Sequence, residues 1–207
     1  MARPPASASS DSRTRIVRAA ATEFAARGYA GASVDRIARA ARLNKAMIYY
    51  HFPGKAALYR EILGDMLGAV RARVAAVAAS DATPQEKIRR YVAAIAAEAE
   101  ARPHFPPIWL RELAEGGAHL DRSIIRNVRG VLTSLAAIQD EGRRAGRFRP
   151  ISPLVLHGGI VAPLMFFFAT APVRRRLARR GVVDVSAGEV IAHIQQLALA
   201  QLEGRLA

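Results

Sequence analysis

The chain has 207 residues, of which 51% are hydrophobic and only 6% aromatic, so it is long enough for one large domain or two small ones with a mainly aliphatic core. Its 31 basic and 17 acidic side chains leave a net charge of +14, which indicates a polyanionic partner, either nucleic acid or an anionic membrane surface. The absence of cysteine excludes disulfides, thiolate chemistry and cysteine-ligated metals.

The N-terminal segment, MARPPASASSD, is rich in proline, alanine and serine, and we predict that residues 1–11 form a flexible basic arm. It has no apolar region of the kind found in secretory signals, which together with the lack of cysteine favours a cytoplasmic location. The charge is concentrated near this end. Residues 1–60 hold 11 basic and 3 acidic side chains, whereas residues 61–207 hold 20 and 14. The first third is therefore where we expect the anion-binding surface.

The first predicted helix begins at Asp11 or Ser12, either of which is a good N-cap. Its apolar residues recur at three- and four-residue spacing, which is typical of a helix with one buried face. That stripe includes Ile16, Ala20 and Phe24. Gly28 is predicted to end the helix, because glycine is the usual residue just past a helix C-terminus.

Two short helices follow. Ser33 is a candidate N-cap for a second helix at 34–41, and Asn44 is a candidate N-cap for a third. The Pro-Gly pair at 53–54 breaks the third helix, and a further helix begins directly after it. Two short helices joined by a tight turn are typical of a helix-turn-helix, so we predict a DNA-binding domain over residues 12–58.

The third helix has two chemically different faces. Leu43 and Ile48 occupy the positions of a hydrophobic staple, and Phe52 continues the same buried face one turn later. The opposite face is basic and aromatic. It carries Lys45, Ala46, Tyr49 and Tyr50. An α-helix fits the DNA major groove, so this face is the predicted recognition surface.

Side chains that can reach a phosphate or a base edge lie in and around this helix. Lys45 can bind a guanine edge or a phosphate, and the small Ala46 permits close approach to a thymine methyl group. Hydroxyl and imidazole groups suit phosphate oxygens. The predicted DNA-binding residues are Ser33, Arg36, Arg42, Asn44, Lys45, Ala46, Met47, Tyr49, Tyr50, His51 and Lys55. A structural role stays open for the two N-caps, for Met47 as a packing residue and for the arginines as solvated charges.

Residues 59–207 are predicted to form further helices. One follows Thr83 as N-cap, with proline at its first position, where proline is best tolerated. The others are predicted at about 105–116, 121–145, 152–170 and 186–204. Since the sequence shows neither internal repeats nor the alternation typical of strands, the predicted fold is all-α.

Residues 150–173, PISPLVLHGGIVAPLMFFFATAPV, carry no formal charge and are followed by RRRLARR. Their length and basic flank suit a membrane-spanning helix. The prolines, glycines and histidine inside the segment, and the lack of a second hydrophobic segment, instead favour a helix buried in a core or a subunit interface. We predict the second arrangement, with no membrane partner.

Three motifs mark residues 14–63. They are F-x-x-x-G-Y at 24–29, S-V-x-x-I-A at 33–38 and L-N-K-A-x-I-Y-Y-H-F-x-x-K at 43–55. In these motifs the segment closely resembles the DNA-binding domain of the TetR (tetracycline-repressor) family. It departs from the family at Arg42, where members commonly have glycine, and at Met47, where a small or polar residue is usual.

The resemblance implies that Lys45, Ala46, Tyr49, Tyr50, His51 and Lys55 face DNA. It also implies an all-helical C-terminal domain, here 59–207, that binds a small effector and dimerises through its last two helices. The implied protein is a ligand-responsive transcriptional regulator, most often a repressor. It binds a palindromic operator in double-stranded DNA as a homodimer, and effector binding releases it by shifting the fourth helix.

An effector site requires aromatic walls with a few polar groups, and such side chains concentrate in residues 102–120. The three consecutive phenylalanines at 166–168 offer a second wall. The predicted effector-binding residues are His104, Phe105, Trp109, Glu112, His119, Met165 and Phe168. Core packing or an internal hydrogen bond is the alternative role for each of them.

An enzyme is not predicted, because the sequence has no G-x-S-x-G, no P-loop, no H-E-x-x-H and no cysteine nucleophile. The five histidines are scattered along the chain, so neither a metal site nor a cofactor is predicted. A membrane-associated or enzymatic helical protein that uses the apolar segment 150–173 is the alternative function.

Overall fold

A computed structural model describes residues 6–205, with side chains described from Ser10 onward. Within this range the chain is all-helical, as predicted, and contains no strand. The helices are α1 (Ala6–Gly31), α2 (Val34–Ala41), α3 (Lys45–His51), α4 (Lys55–Ala78), α5 (Pro84–Ala101), α6 (Phe105–Ala114), α7 (Arg122–Arg144), α8 (Pro153–Ala169), α9 (Ala171–Ala178) and α10 (Ala187–Leu202).

The first helix begins earlier than the sequence predicted. It starts at Ala6, so residues 6–11 of the predicted flexible arm are helical, while residues 1–5 of that arm lie outside the described range. Gly28, the predicted end of the helix, has φ 69° and ψ 178° and interrupts the helical conformation there. A positive φ is accessible to glycine at little cost, so this interruption follows from the residue type.

The first three helices pack around a small apolar core, as their periodicity predicted. The stripe of α1 is buried throughout, α2 adds Ile37 and Ala41, and α3 adds Ile48. α1 also packs against α4 and α6, which brings the small N-terminal core into contact with the larger part of the molecule. The orientation of α3 is therefore set by side chains from several elements and not by its own seven residues.

α4 belongs to both parts of the molecule. Its buried residues run from Leu58, close to α1, to Val74, and it lies along α5 and α7. α8 is packed against α5, α6 and α7, and α10 covers α5 and α8. One continuous helix therefore contributes buried residues to both parts of the molecule.

The uncharged segment forms α8, which ends at Ala169, and the basic run after it forms α9, a helix that the sequence analysis did not predict. Leu156, Ile160 and Leu164 of α8 are buried. Within residues 6–205 no single helix is long and apolar enough to cross a membrane, and α8 and α9 meet the length and composition criteria only as a pair bent by 55°.

The opposite side of α8 is apolar and exposed, and we call it the α8 outer face. It consists of Leu154, Val155, Gly158, Gly159, Ala162, Pro163 and Phe166. Phe166 is 65% exposed and Leu154 is 66% exposed. A Cβ atom added at Gly158 or Gly159 would meet nothing within 4 Å. A contiguous apolar face of this kind indicates an interaction surface.

Two glycines in helices predict opposite effects of the same substitution. A Cβ at Gly142, in the last turns of α7, would overlap the ring of the buried Phe148. We therefore expect Gly142→Ala to lower the free energy of unfolding by about 2–3 kcal/mol, through displacement of that ring. Gly64, in the middle of α4, faces open space, so Gly64→Ala should raise stability by up to about 1 kcal/mol through helix propensity. Urea unfolding measures the free energy of unfolding of both variants. An equal change in the two variants would contradict the prediction.

Candidate nucleic-acid interface and ligand cavity

α3 is a short helix whose two ends are set by its sequence. It covers Lys45–His51, and the side chain of Asn44 caps it by accepting a hydrogen bond from the backbone N–H of Met47 at 2.9 Å. Phe52 is extended, and the Pro-Gly pair at 53–54 leads into α4. The geometry confirms that Asn44 is the N-cap.

The inward face of α3 is apolar. Ile48 is fully buried, Phe52 is 4% exposed, and Leu43 is partly buried against the same core. The guanidinium of Arg13, from α1, lies 5.3 Å from the centre of the Phe52 ring. These contacts fix the apolar side of α3 against the core, so its opposite side faces outward.

The outward face carries the basic and aromatic side chains. Tyr49 is 50% exposed and Tyr50 is 54% exposed, with Lys45 and Ala46 exposed beside them. Met47 is partly buried at the edge of this face. Tyrosine combines an apolar ring with a hydrogen-bonding hydroxyl, which suits a sugar-phosphate backbone. The face can thus present one cation and two hydroxyl groups to a nucleic acid.

Lys45 forms an ion pair with Asp35 of α2, with 3.0 Å between Nζ and Oδ1. The hydrogen bond to Asp35 and the charge of that carboxylate raise the pKa of Lys45, so its side chain is an ammonium at neutral pH. Both side chains are at least half exposed, at 50% and 61%. Exposed ion pairs are weak, so a DNA phosphate can compete for this ammonium.

The turn between α2 and α3 contains Arg42, with φ 54° and ψ 46°. This left-handed conformation favours glycine, and it costs about 1 kcal/mol for a residue with a side chain. The turn is closed by the backbone N–H of Leu43, which donates to the carbonyl of Ala38 at 3.0 Å. Arg15 of α1 also donates to the carbonyl of Ala41 at 2.6 Å. The side chain of Arg42 is exposed next to α3.

Two of the predicted DNA-binding side chains, Lys55 and His51, have polar groups that contact or are enclosed by the protein. Nζ of Lys55 donates to the carbonyl groups of Tyr29 at 3.0 Å and Ala32 at 3.3 Å, and it lies 4.5 Å from the centre of the Tyr29 ring. Nε2 of His51 is enclosed and has no hydrogen-bond partner among the described residues. Burial, followed by the charge of Arg13, lowers the pKa of His51. In this structure the Lys55 ammonium and Nε2 of His51 are thus held against the protein, and the DNA contacts predicted for these two residues stay predictions.

Ser33 and Arg36 lie at the start of α2. Ser33 occupies the N-cap position, but its hydroxyl makes no capping hydrogen bond, and its backbone N–H lies 3.4 Å from Oε1 of Glu23. Arg36 donates to the same carboxylate at 2.5 Å and also to the carbonyl of Gly31. Arg36 therefore ties α2 to α1, whereas the hydroxyl of Ser33 stays a candidate phosphate donor.

A cavity lies in the larger part of the molecule. α4 contributes Leu67 and Val70 to its wall, α6 contributes Phe105 and Trp109, and α8 contributes Val161 and Met165. Further valine and isoleucine side chains come from α5 and α7. The cavity volume is about 30 Å³. The structure therefore brings together Phe105, Trp109 and Met165, which the sequence analysis predicted for an effector site.

The cavity has one polar feature that the sequence analysis missed. The hydroxyl of Tyr91, from α5, lies 2.8 Å from Nδ1 of His157 on α8, and His157 lines the cavity. Burial lowers the pKa of His157 to about 4, so the imidazole is neutral at physiological pH. The only signal in the sequence was an isolated histidine inside an uncharged segment.

Four other predicted effector residues do not line this cavity. His104 precedes α6, where burial and the charge of Arg102 lower its pKa. Phe168 packs edge-on against Phe167, with ring centres 5.3 Å apart. The remaining two, Glu112 and His119, lie where α6 meets α1 and are described next. These four residues lie outside the wall of this cavity, and their contacts with an effector stay predictions.

Glu112 and His119 are joined by two hydrogen-bond contacts near the end of α1. Oε1 of Glu112 accepts a hydrogen bond from the backbone N–H of His119 at 2.7 Å, and Oε2 lies 3.1 Å from its Nδ1. The His119 ring packs on Tyr29, with centres 3.9 Å apart. With Glu115, these side chains offer ligand atoms within 4.8 Å of one another, although both oxygens of Glu112 already have partners. The predicted absence of a metal site stays a prediction.

The lowered pKa of His157 predicts a pH-dependent stability. Between pH 6.5 and 4 the unfolded chain binds a proton on this residue that the folded chain does not, so the contribution is complete above pH 6.5 and is lost as the pH falls. We expect the wild-type protein to lose about 2 kcal/mol more than His157→Gln between pH 7.5 and pH 5. Urea unfolding at the two pH values measures this. The other histidines are the same in both proteins, so they contribute equally to the two pH profiles. The same loss of stability in both proteins would therefore contradict the prediction.

Two family models match most of the chain. Residues 16–62 match the family described as "Bacterial regulatory proteins, tetR family", and residues 84–200 match "Tetracyclin repressor-like, C-terminal domain". The chain is 27% identical over 160 residues to the HTH-type transcriptional repressor NicS of Pseudomonas putida, which covers 75% of this chain and 74% of that protein. An HTH-type transcriptional repressor of Streptomyces coelicolor is 47% identical over 51 residues, covering 25% of this chain and 27% of that protein.

Solved structures show the same fold. The TetR family transcriptional regulator PfmR from Thermus thermophilus superimposes with a TM-score of 0.72 at 26% identity, covering 91% of this chain and 99% of that chain. HlyIIR, a hemolysin II transcriptional regulator, gives a TM-score of 0.70 at 22% identity, covering 94% and 98%. These relatives are transcriptional regulators and not enzymes.

Proposed function

Because this chain belongs to the tetR family of bacterial regulatory proteins, we propose that it binds operator DNA through α3 and releases it when a small molecule occupies the cavity. The observation that carries the DNA-binding part is the division of α3 into two faces. Ile48 is buried, while Tyr49 and Tyr50 are half exposed beside Lys45. This arrangement suits insertion into a major groove, with phosphate contacts that set the register and base contacts that set the sequence.

The contacts around α3 have different roles in this proposal. Lys45, Ala46, Tyr49 and Tyr50 face the DNA, with Ser33, Arg42 and Asn44 near the phosphates and Met47 at the edge. Arg36, His51 and Lys55 instead hold α3 in place, because their polar groups are bonded to or enclosed by the protein. Removal of a positioning residue is expected to weaken DNA binding indirectly.

Two copies of the chain form the DNA-binding unit in this proposal. The α8 outer face and Leu197 of α10, a helix that packs against α8, supply exposed apolar side chains for a two-fold interface. Glycines at its centre allow two backbones to approach closely, because no side chain intervenes. A two-fold dimer presents its α3 helices one DNA turn apart, about 34 Å, or a multiple of it, so the operator is expected to be palindromic.

Ligand binding is connected to DNA binding through α4 and α6. α4 carries Leu67 and Val70 in the cavity wall and Lys55 at the junction with α1. Arg111 of α6 follows Trp109 of the cavity, and its guanidinium donates to the carbonyl of Ala25 near the end of α1 at 2.7 Å. A ligand that enlarges the cavity moves both helices. For release to follow, the ligand must bind the DNA-incompetent arrangement more tightly.

Selection of binding sites from random duplex DNA tests the proposal. We expect an enriched inverted repeat, with half-sites about 10 base pairs apart or a multiple of that spacing. A parallel selection with the Lys45→Ala, Tyr49→Ala double variant is the matched control and should enrich no sequence. If the wild-type protein also enriches none and its affinity follows only the salt concentration, the chain coats DNA nonspecifically and the proposal fails.

A further inference from the structure

We infer that the cavity binds a small, uncharged and largely apolar molecule with one hydrogen-bond acceptor, such as a carbonyl or ether oxygen, to which His157 donates. The inference rests on the proposed ligand response and specifies the chemical class of the ligand. Three features of the cavity support it: the composition of the wall, the hydrogen bonding of His157 and the deformability of the lining.

The wall contains no carboxylate, ammonium or guanidinium group among the described residues, and His157 is its one titratable side chain. Burial of an unpaired ionised group costs several kcal/mol or more, so such a wall rejects carboxylates, phosphates and amines. The low pKa of His157 also disfavours an anionic ligand, because the imidazole supplies no positive charge near pH 7. The ligand must therefore enter without a charge.

The hydrogen bond of His157 determines which polar group the ligand needs. Tyr91 is fully buried, and Nδ1 of His157, 2.8 Å away, is the one acceptor that its hydroxyl reaches among the described residues. A buried hydroxyl donor is rarely left unpaired, so Tyr91 donates to Nδ1. In a neutral imidazole the proton then resides on Nε2. No hydrogen bond to Nε2 is found within the described part of the chain, so in the proposed complex its N–H is the donor that meets the acceptor of the ligand.

The lining can make room for such a molecule. The cavity volume of about 30 Å³ is far below the roughly 300–1,000 Å³ of ordinary ligand pockets, so a ligand must displace side chains. Met165 in the wall is unbranched and adapts its shape readily. The outward movement that this requires is the same movement that the proposed release of DNA uses, because α4 and α6 both belong to the wall.

Trp109 makes the inference directly measurable. It is the single tryptophan of the chain and it lines the cavity, so its fluorescence reports occupancy. Three probes of similar size separate the chemical classes: acetophenone is neutral with a carbonyl, ethylbenzene is neutral without an acceptor, and benzoate is an anion. At pH 7.5 we expect acetophenone to bind about tenfold more tightly than ethylbenzene, as one hydrogen bond to the imidazole N–H provides. Benzoate should produce no saturable change.

Two variants test the role of His157. His157→Phe removes the donor and should bring the acetophenone to ethylbenzene ratio close to one. His157→Gln keeps an acceptor for Tyr91 and a donor for the ligand, so it should retain most of the preference and also controls for folding. An unchanged ratio in His157→Phe, tighter binding of benzoate, or no response to either neutral probe up to its solubility limit would overturn the inference. If acetophenone binds as expected but leaves DNA bound, the ligand class stands and the proposed ligand response fails.

Discussion

Replacing Lys45 and Tyr49 together with alanine is expected to lower the affinity for a selected operator by about 100-fold or more. Each side chain lies on the exposed face of α3, and a base or phosphate contact of this kind contributes about 1–3 kcal/mol. The folded structure should be unaffected, because Tyr49 is 50% exposed and the ion pair of Lys45 is on the surface. Fluorescence anisotropy with a labelled duplex measures the affinity, and urea unfolding measures the stability.

Arg129→Ala is the matched control for this experiment. Arg129 is an exposed cation on α7, in the larger part of the molecule, so its loss removes one positive charge without changing α3. The control should bind the operator with nearly wild-type affinity at physiological salt. Specific binding that survives in the double variant would refute the assignment of α3 as the recognition helix.

Gly159→Arg is expected to convert the proposed dimer into a monomer, at concentrations where the wild-type protein should be dimeric. The new guanidinium would lie on the α8 outer face, and a two-fold interface would bury it twice without a partner. The isolated subunit should tolerate the change, because a Cβ at this position meets nothing within 4 Å and arginine has a higher helix propensity than glycine. Operator affinity should fall by about 100-fold, since the two recognition helices are no longer linked.

Sedimentation velocity measures the oligomeric state directly. Gly64→Arg is the matched control, because Gly64 also lies inside a helix, α4, with open space around its Cβ position, but outside the α8 outer face. This control should remain dimeric. A dimeric Gly159→Arg protein, or a monomeric wild-type protein, would contradict the proposed interface.

Local signals in the sequence predicted the DNA-binding part of the fold closely. α2 was predicted at the residues where it is found, and Asn44 was identified as the cap that the structure shows. Arg42, which the sequence analysis identified as a departure from the usual glycine, has the left-handed conformation that favours glycine. Each of these features depends on residues within about one helical turn of each other, so spacing and residue type are sufficient to predict them.

Contacts between distant residues could not be predicted in the same way. The direction of Lys55 depends on carbonyl groups 23 and 26 residues away, and the hydrogen bond of His157 joins residues 66 apart. His157 and Tyr91 carry no shared motif, and they meet only because α5 and α8 pack together. The effector-site prediction therefore included part of the cavity wall and missed its polar group.

The sequence by itself determined that this chain is helical, where α3 begins and ends, and which face of α3 turns outward. Cap residues, helix breakers and apolar periodicity act over a few residues, so they are readable without the tertiary structure. The tertiary structure decided which cations of that region are free, which side chains enclose the cavity and which face of α8 is left uncovered. Those properties arise from helix packing, which brings together groups that are far apart in the chain and satisfies some of their hydrogen bonds internally.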